Sequence, residues 1–315
     1  MIENIFIESS PLENNRKFLS GLYLSLRALR QPVQQLNSIS YSFPNSLHIV
    51  WNSPEFLGKK NFIFCENGWL PRTDFQISPL GFNARHRYAG WEWDGSDISP
   101  SLNNIVESRV NELRNTPSPI HFYYNPTLPP IDFIDFEFLL CPLQMEWDSN
   151  LRFFCPVDLR TNQLFIDFVS SSNPPLPCLY KQHPVDSLQT NQHPKLLLRR
   201  SQDKIIEHSL GNIHQYLKSP LCRGVISVNS GTLYDCLLWD KPAVALGQGM
   251  WPRSGNEVFY THLPSHWPTF FDSVSKPSTR TARSLFLIHL WKNQWTLEDA
   301  YDPVHVATFL KSLDL

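Results

Sequence analysis

Short, uninterrupted apolar runs recur along this chain, and each is bounded by residues that break regular structure. They occupy residues 46–51, 61–65, 138–142, 176–180, 224–228 and 242–247. Runs of this length are typical of strands that are buried on both faces of a parallel sheet. The last two runs flank a helical pattern at residues 231–239, which completes a β-α-β unit. The sequence therefore predicts a doubly wound α/β architecture.

The chain length predicts the number of domains. With 315 residues, the chain is long enough for two domains of about 150 residues each. Ser, Asn and Pro cluster at residues 170–175 and interrupt both strand and helix periodicity. We therefore predict an N-terminal domain of residues 1–170 and a C-terminal domain of residues 171–315, with a last helix that packs back on the first. Further helical patterns cover residues 14–29, 101–115, 203–217 and 281–291.

Charge and composition exclude several classes of function. The formal net charge is -2, and no basic stripe favours nucleic acid as a partner. The six cysteines are scattered through apolar runs and form no Cys-x-x-Cys pair, which favours buried, reduced thiols. Metal-ligand spacing is missing among the His, Asp and Cys residues, so we expect no metal and no cofactor.

The location of the protein is predicted from its apolar segments. The first residues lack a basic region followed by an apolar one, and no apolar run approaches the ~20 residues of a membrane span. We therefore expect a cytoplasmic protein. Trp291 and Trp295 fit either core packing or peripheral association with the inner face of a membrane.

Carboxylates follow two of the predicted strands. Glu66 comes directly after an apolar strand, where ligand-facing residues of α/β sheets lie, although a surface loop glutamate fits the same pattern. Glu146 and Asp148 follow the strand at residues 138–142. Paired acids are able to divide acid/base and nucleophilic roles when their surroundings differ. The alternative is a polar loop in which Asp148 caps a helix.

A histidine and a lysine end another predicted strand. His183 precedes a proline, which favours an extended or turn geometry. An imidazole at this place is able to donate to a phosphate, and Lys181 would add a positive charge. A structural histidine is the alternative.

Small polar residues form the turn between a strand and a helix near residue 230. Asn229, Ser230, Gly231 and Thr232 offer hydroxyls and backbone N–H groups at a helix start, which suits a phosphate or carboxylate. The same residues also cap helices that bind nothing. Asp235, one turn further, is placed to reach a ribose hydroxyl or to interact with the helix dipole.

Taken together, these segments resemble the retaining β-Kdo transferases of capsule polysaccharide biosynthesis. Residues 66–72 (Glu-Asn-Gly-Trp-Leu-Pro-Arg) look like that family's Glu-Asp-Gly-Phe-Leu-Arg segment. Gln144 with residues 148–149 resembles its Gln-x-x-x-Asp-x-Ser segment, with the serine one place early, and residues 183–184 match its His-Pro motif. Residues 229–230 and 237–244 look like its Asn-Ser turn and Ala-Leu-x-x-Gly-Lys-Pro-Val run, with Asp235 and Asp240 replacing the expected Glu and Gly.

The resemblance runs from about residue 62 to residue 255 and implies a GT-B fold: two Rossmann-like domains whose parallel sheets face across a cleft. It implies transfer of Kdo or a related sugar from a CMP-activated donor to a capsular or lipopolysaccharide glycan or glycolipid. Asp148 would be the nucleophile and Glu66 the base that deprotonates the acceptor. The donor would be held by a set of polar residues: Gln144, Lys181, His183, Asn229, Ser230, Gly231, Thr232 and Asp235.

Other functions remain open on the sequence. An inverting CMP-sialic acid-type transferase shares the His-Pro motif and the small hydroxyl turn. A sugar-nucleotide epimerase would use the same two-domain scaffold. A carbohydrate-binding subunit without catalytic activity would keep the fold and the aromatic residues.

Overall fold

The computed structural model describes residues 3–10, 12–115, 131–184, 196–207, 209–251, 260–261 and 267–313. Contacts divide the chain into two compact units. The first comprises Met1–Ala89 and Leu290–Leu315, and the second comprises Gly90–His289. The boundary predicted at residues 170/171 instead lies inside the second unit.

The first unit contains a five-stranded sheet in the order β2-β1-β3-β4-β5. Its strands are β1 (Asn4–Glu8), β2 (Val33–Leu36), β3 (Ser46–Trp51), β4 (Phe62–Asn67) and β5 (Phe75–Ser78). All neighbouring pairs are parallel except β4 and β5, which are antiparallel. The sheet therefore has the parallel core that the apolar runs predict.

Helices cover one face of this sheet. They are α1 (Glu13–Ala28), α9 (Leu297–Tyr301) and α10 (Pro303–Lys311). Helix α1 buries Phe18, Leu22 and Leu26 at helical spacing against the strands. Ser25 Oγ donates to the carbonyl of Ala300 over 2.8 Å, which joins α1 to α9. The C-terminal helices therefore belong to the first unit.

The second unit contains a six-stranded parallel sheet in the order β11-β10-β9-β6-β7-β8. Its strands are β6 (Phe138–Pro142), β7 (Cys178–Lys181), β8 (Lys204–Ile206), β9 (Cys222–Ser227), β10 (Ala243–Ala245) and β11 (Tyr260–Thr261). The remaining helices are α2 (Pro100–Asn115), α3 (Ser149–Phe154), α4 (Asn162–Ser171), α5 (Ile213–Lys218), α6 (Thr232–Leu238), α7 (Trp267–Asp272) and α8 (Pro277–Lys292).

The strand order reverses once in each sheet. In the second sheet β6, β7 and β8 run outward in one direction, and β9, β10 and β11 run outward in the other. In the first sheet the reversal lies between β1 and β3. Ligands of open α/β sheets bind outside the carboxyl ends of the strands at such a reversal. A ligand site is therefore expected at the residues that follow β6, β9, β1 and β3.

Candidate functional site

Two buried amides lie at the reversal point of the second sheet. Gln144 follows β6 and Asn229 follows β9, and both side chains are largely shielded from solvent. Gln144 Nε2 donates to Asn229 Oδ1 over 3.0 Å, and the backbone N–H of Asn229 donates to Gln144 Oε1 over 3.2 Å. This reciprocal pair fixes the two strand ends to each other.

Asp148 lies in the turn that follows Gln144. Its backbone N–H donates to the carbonyl of Met145, and its carboxylate accepts from the backbone N–H of Asn150 over 2.7 Å. Asp148 is therefore the N-cap of α3. Asn229 Nδ2 donates to the carbonyl of Asn150 over 2.8 Å, so the first turn of α3 is tied to the amide pair.

Glu146 has a structural contact. Its carboxylate accepts from the backbone N–H of Asn162 over 2.8 Å, at the start of α4. Glu146 and Asp148, which the sequence suggests as a pair, therefore each accept a hydrogen bond from the start of a different helix.

Lys181 is the last residue of the neighbouring strand, β7, and His183 lies just beyond it. Lys181 pairs with Pro142 of β6 in the sheet register, and its side chain is buried. Lys181 Nζ donates to the carbonyl of Glu207 over 3.0 Å, and burial lowers the pKa of this ammonium to about 8. His183 lies two residues beyond the strand end. The predicted pair is thus at the same edge of the sheet as Gln144.

The turn before α6 uses several of its own donors. The backbone N–H of Thr232 donates to Ser230 Oγ, that of Leu233 to the carbonyl of Ser230, and that of Tyr234 to the carbonyl of Gly231. Of the residues predicted to offer N–H groups, Asn229, Ser230 and Thr232 therefore already donate to side-chain oxygens of Gln144, Ser227 and Ser230. Ser230 Oγ donates to Thr232 Oγ1 over 3.2 Å, so the two hydroxyls of this turn are hydrogen-bonded to each other.

Asp235 lies inside α6 and is buried. His214 of α5 faces it, with 4.0 Å between His214 Nε2 and Asp235 Oδ1. Trp239 Nε1 donates to His214 Nδ1 over 3.1 Å, which leaves the imidazole proton on Nε2, toward the carboxylate. His214 carries no sequence signal of its own, because it reaches Asp235 through the packing of α5 on α6.

Glu66 lies at the end of β4 in the first unit. It is 9% exposed, and its carboxylate accepts from the backbone N–H of Asn67 over 2.8 Å. Trp69 is fully buried against His86, with ring centroids 4.9 Å apart. The amide of Gln294 accepts from the backbone N–H groups of Trp69 and Leu70, so the loop that follows Glu66 is held by the C-terminal part of the same unit.

Glu8 is a further carboxylate that our sequence reasoning missed. It ends β1 at the reversal point of the first sheet, and it accepts from the backbone N–H of Trp51 over 2.9 Å. Burial raises the pKa of this carboxyl. Strand alternation puts Glu8 and Glu66 on the face of the sheet opposite Ile7 and Cys65. The signal was present in the sequence, because Glu8 comes directly after a short apolar run, as Glu66 does.

The described residues contain neither a metal-ligand cluster nor a helix that could span a membrane. No group of three or more His, Cys, Asp or Glu side chains among them is arranged to hold a metal ion. In the same residues no helix has both the length and the apolar character needed to cross a membrane.

Comparison with known proteins identifies the fold. No protein-family model and no curated protein sequence matches the chain. Two solved structures of Thermosulfurimonas dismutans KpsC do match. The β-Kdo 2,7-transferase has a TM-score of 0.56 at 16% identity, covering 98% of this chain and 99% of that chain. The β-Kdo 2,4-transferase has a TM-score of 0.50 at 14% identity, covering 90% of each.

These likenesses establish the class of fold. The protein has the two Rossmann-like units of GT-B glycosyltransferases, as the sequence predicted. Its structural relatives are Kdo transferases of the kind that the sequence motifs resemble.

Proposed function

We propose that this protein is a retaining glycosyltransferase that moves Kdo or a related sugar from a CMP-activated donor to a surface or capsular glycan. The observation that carries the proposal is the carboxylate of Asp148 at the reversal point of the second sheet. It is linked through Asn150 and Asn229 to Gln144. The fold likeness to Kdo transferases and the resemblance of the sequence motifs support the same function.

The proposed reaction has two displacements. A carboxylate oxygen of Asp148 forms a bond to the anomeric carbon of the donor sugar, and the CMP phosphate leaves with the bonding electron pair. The acceptor hydroxyl then attacks the same carbon, its proton passes to Glu66, and Asp148 is released as a carboxylate. The hydroxyls of Ser230 and Thr232, together with His183, would stabilise the phosphate as its charge grows.

The nucleoside part of the donor is proposed to bind near α6. Asp235 would accept hydrogen bonds from the ribose hydroxyls, and His214 would hold that carboxylate in place. Lys181 is proposed to contribute positive charge when protonated, although its ammonium donates to Glu207.

An inverting transferase is the second candidate. The carboxylate of Asp148 already accepts from the backbone N–H of Asn150 as a helix cap, which favours a reaction in which Asp148 has no covalent role. Glu66 would then act as the single base and no glycosyl-enzyme would form.

We expect Asp148→Ala to abolish release of CMP from CMP-Kdo while CMP binding changes by less than about threefold, because the nucleophile does not contact the nucleotide base. A CMP-release assay measures turnover of the donor, and calorimetric titration measures CMP binding. Asp158→Ala is the matched control, since Asp158 is an exposed aspartate near the same helix. Unchanged CMP release in Asp148→Ala would refute the nucleophile, and preferred binding of UDP or GDP would refute the donor.

A further inference from the structure

Asn162 holds the backbone of Gln144 in place. It is the first residue of α4 and is 9% exposed. The backbone N–H of Gln144 donates to Asn162 Oδ1 over 3.2 Å, and Asn162 Nδ2 donates to the carbonyl of Gln144 over 2.9 Å. The Asn162 amide thus hydrogen-bonds to both the backbone N–H and the backbone carbonyl of Gln144, as a neighbouring β-strand would.

Asn162 also holds the turn that leads to Asp148. Its backbone N–H donates to the carboxylate of Glu146 over 2.8 Å. Asn162 therefore contacts residues 144 and 146, and the Asp148 turn closes on Met145 between them. The beginning of the turn is fixed on both sides of the position where the chain bends.

The contacts continue from Gln144 to α3. The side chain of Gln144 pairs with Asn229, and Asn229 Nδ2 donates to the carbonyl of Asn150. The backbone N–H of Asn150 in turn donates to Asp148. A displacement of Gln144 would therefore reach Asp148 by two routes, through the turn and through Asn229.

We infer that Asn162 is a positioning residue for Asp148. This inference rests on the proposed function, because it concerns how the reacting carboxylate is held. In this proposal Asn162 contacts neither donor nor acceptor. It acts by fixing the Gln144 backbone, and rates of displacement reactions are sensitive to misplacements of about 1 Å.

The test compares Asn162→Ala and Asn162→Asp with Thr161→Ala. Thr161 is the N-cap of α4 and accepts from the backbone N–H of Leu164, so its loss weakens the same helix without removing the amide pair. We expect kcat for CMP release to fall about 10- to 100-fold in Asn162→Ala, with KM for the donor changed less than about threefold. Asn162→Asp keeps the acceptor for the Gln144 N–H and should lose less activity. Thr161→Ala should keep the wild-type kcat.

Equal kcat in the Asn162 variants and in Thr161→Ala would overturn the inference, as would a rise in donor KM at constant kcat. If Asn162→Ala does not fold, the isosteric Asn162→Asp decides by the same criteria. A wild-type protein that releases no CMP from a CMP-sugar would instead refute the proposed function.

Discussion

Three buried amide side chains near the carboxyl ends of β6 and β9 have hydrogen-bond partners for both of their polar atoms. Gln144, Asn229 and Asn162 each use both amide atoms in contacts of 2.8–3.2 Å. A buried polar group without a partner costs about 1–3 kcal/mol, so a network that pairs every amide is stable where a partly paired one is not. The network was not predictable from the sequence, because its members are up to 85 residues apart.

His48 provides a residue-scale prediction about pH. It is fully buried in β3 and stacks on Phe62 with ring centroids 4.6 Å apart. Burial lowers its pKa, so the unfolded chain binds a proton that the folded chain excludes. The stability that the neutral imidazole contributes is present above about pH 6.5 and is lost as the pH falls below that value.

We therefore expect the free energy of unfolding of His48→Phe to depend less steeply on pH than that of the wild type between pH 7.5 and pH 5. Urea unfolding at several pH values measures both slopes. Other groups titrate in this range in both proteins, so the difference between the slopes is the quantity to compare. Parallel pH profiles for the two proteins would show that His48 is not responsible.

At the scale of elements, the apolar runs predicted six of the central strands, whereas the central strand β1 and the edge strands were missed. The run at residues 46–51 is β3 and that at residues 138–142 is β6. Both are central strands, whose burial on two faces leaves an uninterrupted apolar run. Strand β2, at a sheet edge, has two exposed glutamines and gives no such signal.

One predicted helix, residues 203–217, was wrong. The structure has strand β8 at Lys204–Ile206 and a short helix, α5, at Ile213–Lys218. Gly211 between them adopts a φ of +70°, and Asn212 begins α5 with a capping box to Gln215. The apolar spacing typical of a helix therefore runs through a turn in this segment. Only Gly211 and the Asn212 cap indicate that turn in the sequence.

The packing of α1 on α9 depends on a glycine. A Cβ on Gly21 would lie 2.7 Å from the ring of Tyr301. We expect Gly21→Val to destabilise the protein by about 1–3 kcal/mol through overpacking. In a Tyr301→Ala background the same substitution should cost less, because the ring has been removed. Urea unfolding of the four proteins measures this coupling, and an equal cost in both backgrounds would contradict the contact.

At the scale of the whole molecule, the two units are each built around a sheet of their own. The second sheet begins with β6, which is hydrogen-bonded to both β7 and β9, so a boundary at residue 170 would divide it. The cluster of Ser, Asn and Pro that suggested this boundary is the end of α4 and the turn into β7. Linker-like composition there marks a turn between packed elements.

The residues of the proposed reaction come from both units. The proposed donor residues Gln144, His183 and Ser230 follow strands of the second sheet, and Glu66 is the penultimate residue of β4 in the first. Glu8 adds a second carboxylate at the reversal point of the first sheet. Each of these residues lies at the carboxyl end of a parallel strand in its own sheet, where α/β proteins bind ligands.

The most direct test of this account is the intact mass of the protein after incubation with CMP-Kdo alone, followed by peptide mapping. Retention through two displacements predicts a mass gain of one donor-sugar residue on the peptide that contains Asp148, and its loss in Asp148→Ala. Glu66→Gln should increase the amount of adduct when acceptor is present. The second displacement is then slowed, because no carboxylate takes the proton of the acceptor hydroxyl. Glycan product formed without any adduct, or with an adduct on another residue, would contradict the central claim.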